Sequence, residues 1–592
     1  VWSVLTFLVG SFVWAADKGY VIGEEGYYLL SSRFPHAAPP AVTQFGLIVD
    51  AITLHHPLTV PGYRVLGLVA LLIGAVALML SFLTFVDRRL PRYRRAMPAT
   101  TSLCAFAATA GLLGLSWLMR TISYFTLTTV FAEFAVASVL LATASTPSRS
   151  WRPPAGQVAL SACAGLMLVL LLFTKFPAAL ITGGLLVVFL PVAMGWRRGL
   201  VLVAALAAGA AISMLALTTD FFGGPFSLHG LRDGARIASQ GSHNAREILT
   251  ADWESASTYS FFSLASVLVG VMFAAPVIAR LAPARFRVAL GWALAVPGLL
   301  AVTLAVRAWS DHTTITYVIL GGFTIGLVFV LSTAWLARRL DPSTATAGLV
   351  ARSGPPRESL LLTALVALMV ALPFATAIGT NTGLFHLSIN CGAAFACLMA
   401  LAWGARGLVL DRPARQTVLA YLPIGFASLL FALLIAHGTL VEPYGLATSI
   451  SGQTETLTGI GGLSTMRVDP ATKRLLTELQ AKVDAVSSFR PGDPIVTGPL
   501  LGGMAYALGG WLPGTEYYND SPPTCLALEQ VPDDLARTDL VIRDTNAPHG
   551  FDDCLREVMP GYPEQFDVRA VVDGPMVFGP GEDRLEILVR RP

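Results

Sequence analysis

Long runs of apolar residues alternate with short polar stretches from the start of the chain to about residue 436. A helix rises 1.5 Å per residue, so about 20 apolar residues cross the hydrocarbon of a bilayer. The runs predict about thirteen spans, near 1–16, 65–86, 98–118, 126–144, 157–174, 178–194, 200–218, 261–279, 288–306, 315–336, 359–378, 389–405 and 417–436. Soluble helices keep a polar face along their length, and these runs do not. After residue 437 the pattern changes to short apolar stretches between turn residues, Pro494–Thr497, Leu540–Arg543 and Arg584–Arg590, with a helical stretch at Ala471–Ser488. Two domains are therefore expected: an all-α polytopic membrane domain over residues 1–436 and a small α/β domain over 437–592.

Composition agrees with this division. Of 592 residues, 54% are hydrophobic and 13% charged, against about a quarter charged in soluble domains. The formal net charge of +3 hides an asymmetry, because residues 437–592 carry 22 acidic and 12 basic side chains. The basic excess of the membrane part sits in short interhelical loops: Arg88, Arg89, Arg92, Arg94 and Arg95; Arg149 and Arg152; Arg197 and Arg198; Arg280, Arg285 and Arg287; Arg338, Arg339, Arg352 and Arg357; Arg406, Arg412 and Arg415. Short arginine-rich loops stay cytoplasmic, and all six fall on one side of the predicted spans. The same charges give no reason to expect a nucleic-acid partner. The longer segments 17–64, 219–260 and 437–592 then lie on the opposite, extracytoplasmic face of the plasma membrane, where loop-borne chemistry is expected. Residues 341–358 read as a flexible cytoplasmic loop. The chain opens at Val1 inside an apolar run, which reads as a truncated first span rather than a signal peptide.

Cys104, Cys163, Cys391 and Cys397 lie in apolar spans, where a thiol packs as a small hydrophobe. Cys525 and Cys554 lie in the tail and are candidates for a disulfide if it faces an oxidising compartment. The first outer segment carries two adjacent carboxylates, Glu24 and Glu25, followed by Tyr27 and Tyr28. Partial desolvation at such a boundary raises a carboxyl pKa and suits a general base; equally, the pair suits a helix N-terminus stabilised by its dipole. Lys175, in the turn Thr174-Lys175-Phe176-Pro177, either holds a phosphate or snorkels to the interface. Glu133 is the one formal charge inside a predicted span, which makes it and nearby Thr128 a candidate buried polar site, unless Glu133 pairs with Arg120 or with a polar group of a neighbouring helix. Arg232 and Arg246, in the second long outer segment, suit either a phosphate or a headgroup-facing loop. The histidines there lack the spacing of a helical zinc site. Gly502-Gly503-Met504-Ala505-Tyr506 departs from a dinucleotide-binding turn and reads as structural.

In order and sidedness, these pieces resemble the GT-C superfamily of membrane glycosyltransferases. The likeness is to the branch holding the dolichyl-phosphate-mannose protein mannosyltransferases and the lipid A aminoarabinose transferases. Glu24-Glu25-Gly26-Tyr27-Tyr28 stands where that family carries an Asp-Glu pair before an aromatic. His56-Pro57-Leu58 is similar to its Pro-Pro-Leu-like element, and Thr174-Lys175-Phe176-Pro177 to its Thr-Lys-Gly-Pro-like turn. The motifs lie within residues 17–177; the topology resembles the family over the whole chain. The resemblance implies a polyprenyl-phosphate sugar donor with its tail in the bilayer, and a lipid, polysaccharide or protein acceptor. It implies inverting transfer on the periplasmic face, with Glu24 as base beside Glu25, and the leaving phosphate steadied by Lys175 with Arg232 or Arg246. The family's further aspartate near the start of the fourth span is replaced by Thr128 and Thr129, which weakens the case for a bound divalent metal ion without closing it. Two other classes compete: a transporter or flippase, against which stand one buried charge and no paired repeat, and a non-catalytic subunit of envelope polysaccharide assembly.

Overall fold

The structure, a computed structural model, describes residues 1–37, 43–95, 97–115, 120–145, 152–219, 226–239, 356–379, 390–410, 431–518, 521–545, 549–575 and 582–591, with isolated residues between 246 and 300 and at 428–429. Among them, six helices are long and apolar enough to cross a membrane. These are α4 (Val60–Arg89), α7 (Tyr124–Ala144), α8 (Ala155–Thr174), α9 (Phe176–Met194), α10 (Trp196–Thr218) and the 360–377 part of α12 (Pro356–Ala377). The short α5 (Pro91–Arg95) follows α4 and carries three of its arginines. α1 (Trp2–Ala15), α6 (Thr100–Gly111) and α13 (Gly392–Leu410) are apolar too, but α6 gives way to a 3₁₀ turn at Leu112–Leu115, so the run expected over 98–118 is interrupted. Of the spans expected near 261–279, 288–306 and 315–336, the first lies almost wholly and the third wholly outside the described residues, and about half of the second does; so do most of 417–436 and of the 341–358 loop.

Sequence chemistry sets the helix ends. Thr59 caps α4, its hydroxyl accepting from the Gly62 N–H, and the Ser123 hydroxyl caps α7 by accepting from the Thr126 N–H. Lys175 is extended and separates α8 from α9, with Pro177 in the first turn of α9, where a missing N–H costs nothing. α7 packs between α4 and α8, α10 lies along α8, and α12 lies along α9. α8 and α10 cross where Gly165 meets the Leu206 carbonyl, an approach that a Cβ would block.

The bundle has two distinct ends. At one, the Arg89 guanidinium donates to the Thr143 and Ser145 carbonyls (3.1 Å each) and the Ala193 carbonyl (2.6 Å), gathering the C-terminal ends of α4, α7 and α9. At the other, the Lys175 ammonium donates to Thr376 O (2.7 Å) and Ala377 O (2.9 Å) at the end of α12, and the Ile122 N–H to the Tyr63 carbonyl. Arginine-bearing turns and the Glu24 segment therefore sit at opposite ends of α4.

Between α1 and α4, the expected outer loop folds as two short helices, α2 (Glu24–Arg33) and α3 (Phe45–Ile52). Beyond a π-helical turn at His437–Val441 the chain covers this end of the bundle. β1 (Glu455–Thr456) pairs with β2 (Arg467–Val468), and a mixed sheet of order β3-β4-β6-β5 follows. In it β3 (Val496–Thr497) runs parallel to β4 (Leu540–Asp544), and β6 (Glu582–Arg590) is antiparallel to β4 and β5 (Phe566–Pro575). α14 (Pro470–Val486), capped by Asp469, packs on β5. The Cys525–Cys554 bond joins α16 (Ser521–Leu528) to α18 (His549–Val558), with the short α17 (Pro532–Ala536) between them in sequence.

Candidate functional site

α2 begins at the adjacent carboxylates, and successive helical residues point about 100° apart, so Glu24 and Glu25 meet different surroundings. Glu25 turns inward and is only 1% exposed. Its carboxylate accepts two bonds from Arg64 (2.8 Å each), one from the Val21 N–H (3.1 Å) and one from the Thr121 hydroxyl. Burial alone would raise its pKa; Arg64 and Arg120, then Thr121 and Val21, outweigh that and hold it below the usual glutamate value. Arg64 spends its remaining N–H groups on the carbonyls of Ala16, Lys18 and Gly19, so all five donors are engaged. Arg120 donates to Ala15 and Lys18 carbonyls, and burial, then Arg64, pushes it down to about 9. Both Glu25 oxygens are thus engaged, and the side chain fastens the first outer segment to α4.

Glu24 faces the other way and is half-buried. Burial raises its pKa, and a hydrogen bond from Tyr444, in the turn after the last apolar helix, offsets part of the rise. No cation pairs with it among the described residues. Tyr444 is raised in turn, by burial and then by the Glu24 charge. Glu24 also acts electrostatically on the hydroxyls of Tyr28 and Tyr124, and a row of rings runs away from it: Tyr124 to Tyr28 (6.0 Å between centroids), Tyr28 to Tyr27 (4.8 Å) and Tyr27 to Tyr517 (5.0 Å). Phe45 backs the row. At the far end Glu516, 6% exposed, acts on Tyr27 and Tyr518, and burial pushes its carboxyl up to about 7.

The tail builds half of this arrangement by docking on α2. Gly503, in α15 (Gly502–Leu508), receives a hydrogen bond from the Tyr20 hydroxyl on its carbonyl and donates its N–H to the Ile22 carbonyl, both 2.7 Å. Gly26 lies directly on the Gly503 backbone, which a Cβ there would overlap, and a Cβ on Gly503 would overlap the Ile22 backbone. β2 adds a second attachment, with Gly19 N–H donating to Arg467 O and Arg467 N–H to Asp17 O. The glycine pair read as structural is therefore the seat of the Glu24 helix.

The Lys175 ammonium stands 5.7 Å from the Phe125 ring, which lies 3.9 Å from Tyr124, while also serving the C-terminal carbonyls of α12. Arg232, on α11 (Leu228–Ser239), and Arg246 are exposed, and no contact among the described residues brings either to Glu24 or Lys175. Glu133 does not pair with Arg120; among the described residues its Oε2 is buried without a hydrogen bond against Gly74 of α4, and the Thr128 hydroxyl is likewise unbonded. Nearby, Thr129 donates to Asn390 Oδ1 (2.7 Å). Among the described residues no three of His, Cys, Asp and Glu converge as a metal site would require, and Glu25 is already committed to Arg64. Tyr444 and Glu516 were missed by the sequence reading. The second had a signal: Glu516-Tyr517-Tyr518 repeats, without its glycine, the Glu25-Gly26-Tyr27-Tyr28 pattern it faces.

No family model and no curated protein matches the chain. Among solved structures it is similar to the Archaeoglobus fulgidus oligosaccharyltransferase in complex with Zn and sulfate, at 14% identity and a TM-score of 0.46, over 91% of this chain and 68% of that one. It is also similar to the same enzyme tethered by a disulfide bond to an acceptor peptide containing the NVT sequon, at 15% identity and a TM-score of 0.43, over 95% and 70%. Likeness at this level assigns neither family nor activity.

Proposed function

We propose that the chain is an integral membrane glycosyltransferase that moves a sugar from a polyprenyl-phosphate donor to an acceptor at the bundle end covered by the tail. The observation that carries this is Glu24: a half-buried carboxylate without a cation partner among the described residues, raised by its burial, facing a row of tyrosines just above the ends of the spans. A base in that place reaches both an acceptor arriving from water and a donor whose tail lies in lipid.

Glu24 takes the proton of an acceptor hydroxyl as its oxygen bonds to the anomeric carbon. The bond from that carbon to the phosphate oxygen breaks from the opposite face, and the polyprenyl phosphate leaves with the electron pair, inverting the centre. Charge building on the phosphate needs a cation already in place. We assign that task to Lys175, beside Phe125 at the same end of the bundle, and leave Arg232 and Arg246 to the solvated surface. Glu25 and Arg64 position α2, and through it Glu24.

Protein in lipid nanodiscs, offered a panel of radiolabelled polyprenyl-phosphate sugars, should release free polyprenyl phosphate. Glu24→Gln should lower release by about 10²-fold or more, the usual scale of a lost general base, while leaving the unfolding temperature unchanged. Near-normal turnover by that variant would remove Glu24 from the chemistry.

A further inference from the structure

Glu516 is an anomaly of the fold. A carboxylate this buried ordinarily sits beside a cation or is neutralised, because an isolated buried charge costs several kcal/mol. Among the described residues no cation or side-chain donor reaches it, and its own N–H is the bond that offsets its burial. It stands at one end of the tyrosine row and Glu24 at the other, and Tyr27, Tyr124 and Tyr517 are each partly open to solvent. The cluster thus presents three partly open rings, those of Tyr27, Tyr124 and Tyr517, with one carboxyl acting on Tyr124 and the other on Tyr27. Its two halves come from different parts of the chain, α2 and α7 on one side and the tail turn 515–518 on the other.

We propose that Glu516 and Tyr517, with Tyr27 and Tyr124, form an acceptor subsite for a saccharide: ring faces rest on the tyrosines, and hydroxyls bond to Glu516 while one reaches Glu24. The proposal rests on the glycosyltransferase reading only for the role of acceptor; the saccharide site itself does not depend on it. Tyrosine offers a large apolar face with a polar tip, which suits a molecule that is apolar above its ring and polar around its edge. Ligand sites have this make-up, mostly aromatic walls with a few convergent polar groups. A carboxyl pushed up to about 7 also donates as readily as it accepts near neutrality, and a sugar hydroxyl does both. A lipid chain would leave both carboxyls unpaired, and a cationic ligand would draw on the ionised form alone.

The test measures binding without turnover. Full-length protein in nanodiscs, with no donor present, is titrated with a panel of methyl glycosides of hexoses and pentoses and followed by saturation-transfer NMR and equilibrium dialysis. At least one glycoside should bind, and Tyr517→Ala and Glu516→Gln should each weaken it tenfold or more. Tyr517→Phe, which keeps the ring, should bind within a few-fold of wild type and guards against a folding artefact. A deoxy analogue lacking the hydroxyl held by Glu516 should lose as much as Glu516→Gln does, because a site built around a hydroxyl rejects ligands without it. Failure of every glycoside to bind, indifference to both substitutions, or binding of an amine or a peptide in their place would each overturn the subsite. Saccharide binding with no polyprenyl phosphate release would instead remove the transferase reading and leave the subsite standing.

Discussion

At the scale of single residues, the two neighbouring glutamates show how one turn of backbone divides labour. Glu25 is held below the ordinary carboxyl range by Arg64, Arg120, Thr121 and Val21 against its burial, whereas Glu24 is raised by burial and restrained by Tyr444. A base works when ionised, so the acid limb of turnover should fall at a pH above the ordinary glutamate value of 4.5. The Tyr444 hydrogen bond favours the ionised form; Tyr444→Phe removes it and should move that limb to still higher pH, with the alkaline plateau nearly unchanged. A pH–rate profile of the variant that overlays wild type, or moves down, would detach Tyr444 from the base. The pair was legible in the sequence as two carboxylates beside aromatics, but its division was not, because the partner of Glu25 is 39 residues away and that of Glu24 is Tyr444. Local pattern carries no trace of such separations.

At the scale of elements, the decisive contact is between α2 and α15, and two opposing effects can be weighed there. Alanine is a better helix former than glycine by about 1 kcal/mol, so local propensity favours Gly26→Ala. The Cβ it adds would overlap the backbone of Gly503, and backbone cannot rotate away as a side chain can; overpacking of this kind costs about 1–3 kcal/mol. Overpacking should therefore outweigh propensity. Gly26→Ala is expected to push α15 off α2, lower the unfolding temperature and cut polyprenyl phosphate release in the same preparation, whereas Gly10→Ala in α1, where a Cβ meets nothing within 4 Å, should lower neither and keeps only the propensity gain. Equal behaviour of the two variants would mean that the tail does not hold the Glu24 helix. The spans themselves were easier to read than this contact. A bilayer imposes length and apolarity that hydropathy registers directly, and α4, α7, α8, α9, α10 and α12 begin and end within a few residues of expectation. The break after Gly111 and the folding of the first outer segment into α2 and α3 depend on packing partners that hydropathy does not see.

At the scale of the whole molecule, sidedness joins the separate pieces. Arg89 gathers the helix ends at one pole, and Glu24, Lys175 and the sheet of the tail occupy the other. On the positive-inside rule the arginine pole is expected in the cytoplasm, which would place the tail where disulfides persist. The bond between Cys525 and Cys554 spans 29 residues of sequence, and in the chain-entropy picture a loop of that length contributes about 3–4 kcal/mol. A stabilisation of that size is realised only on the oxidising side, so the state of these two thiols reports the orientation of the entire chain. In intact cells expressing a form with Cys104, Cys163, Cys391 and Cys397 changed to alanine, a membrane-impermeant maleimide should leave the protein unlabelled until an impermeant reductant is added, and should then label both tail cysteines. Labelling only after permeabilisation would turn the molecule over and place Glu24 on the cytoplasmic face. The carboxylate and its tyrosines would keep their geometry, but they would have to meet a donor presented from inside the cell, and a periplasmic acceptor would be excluded.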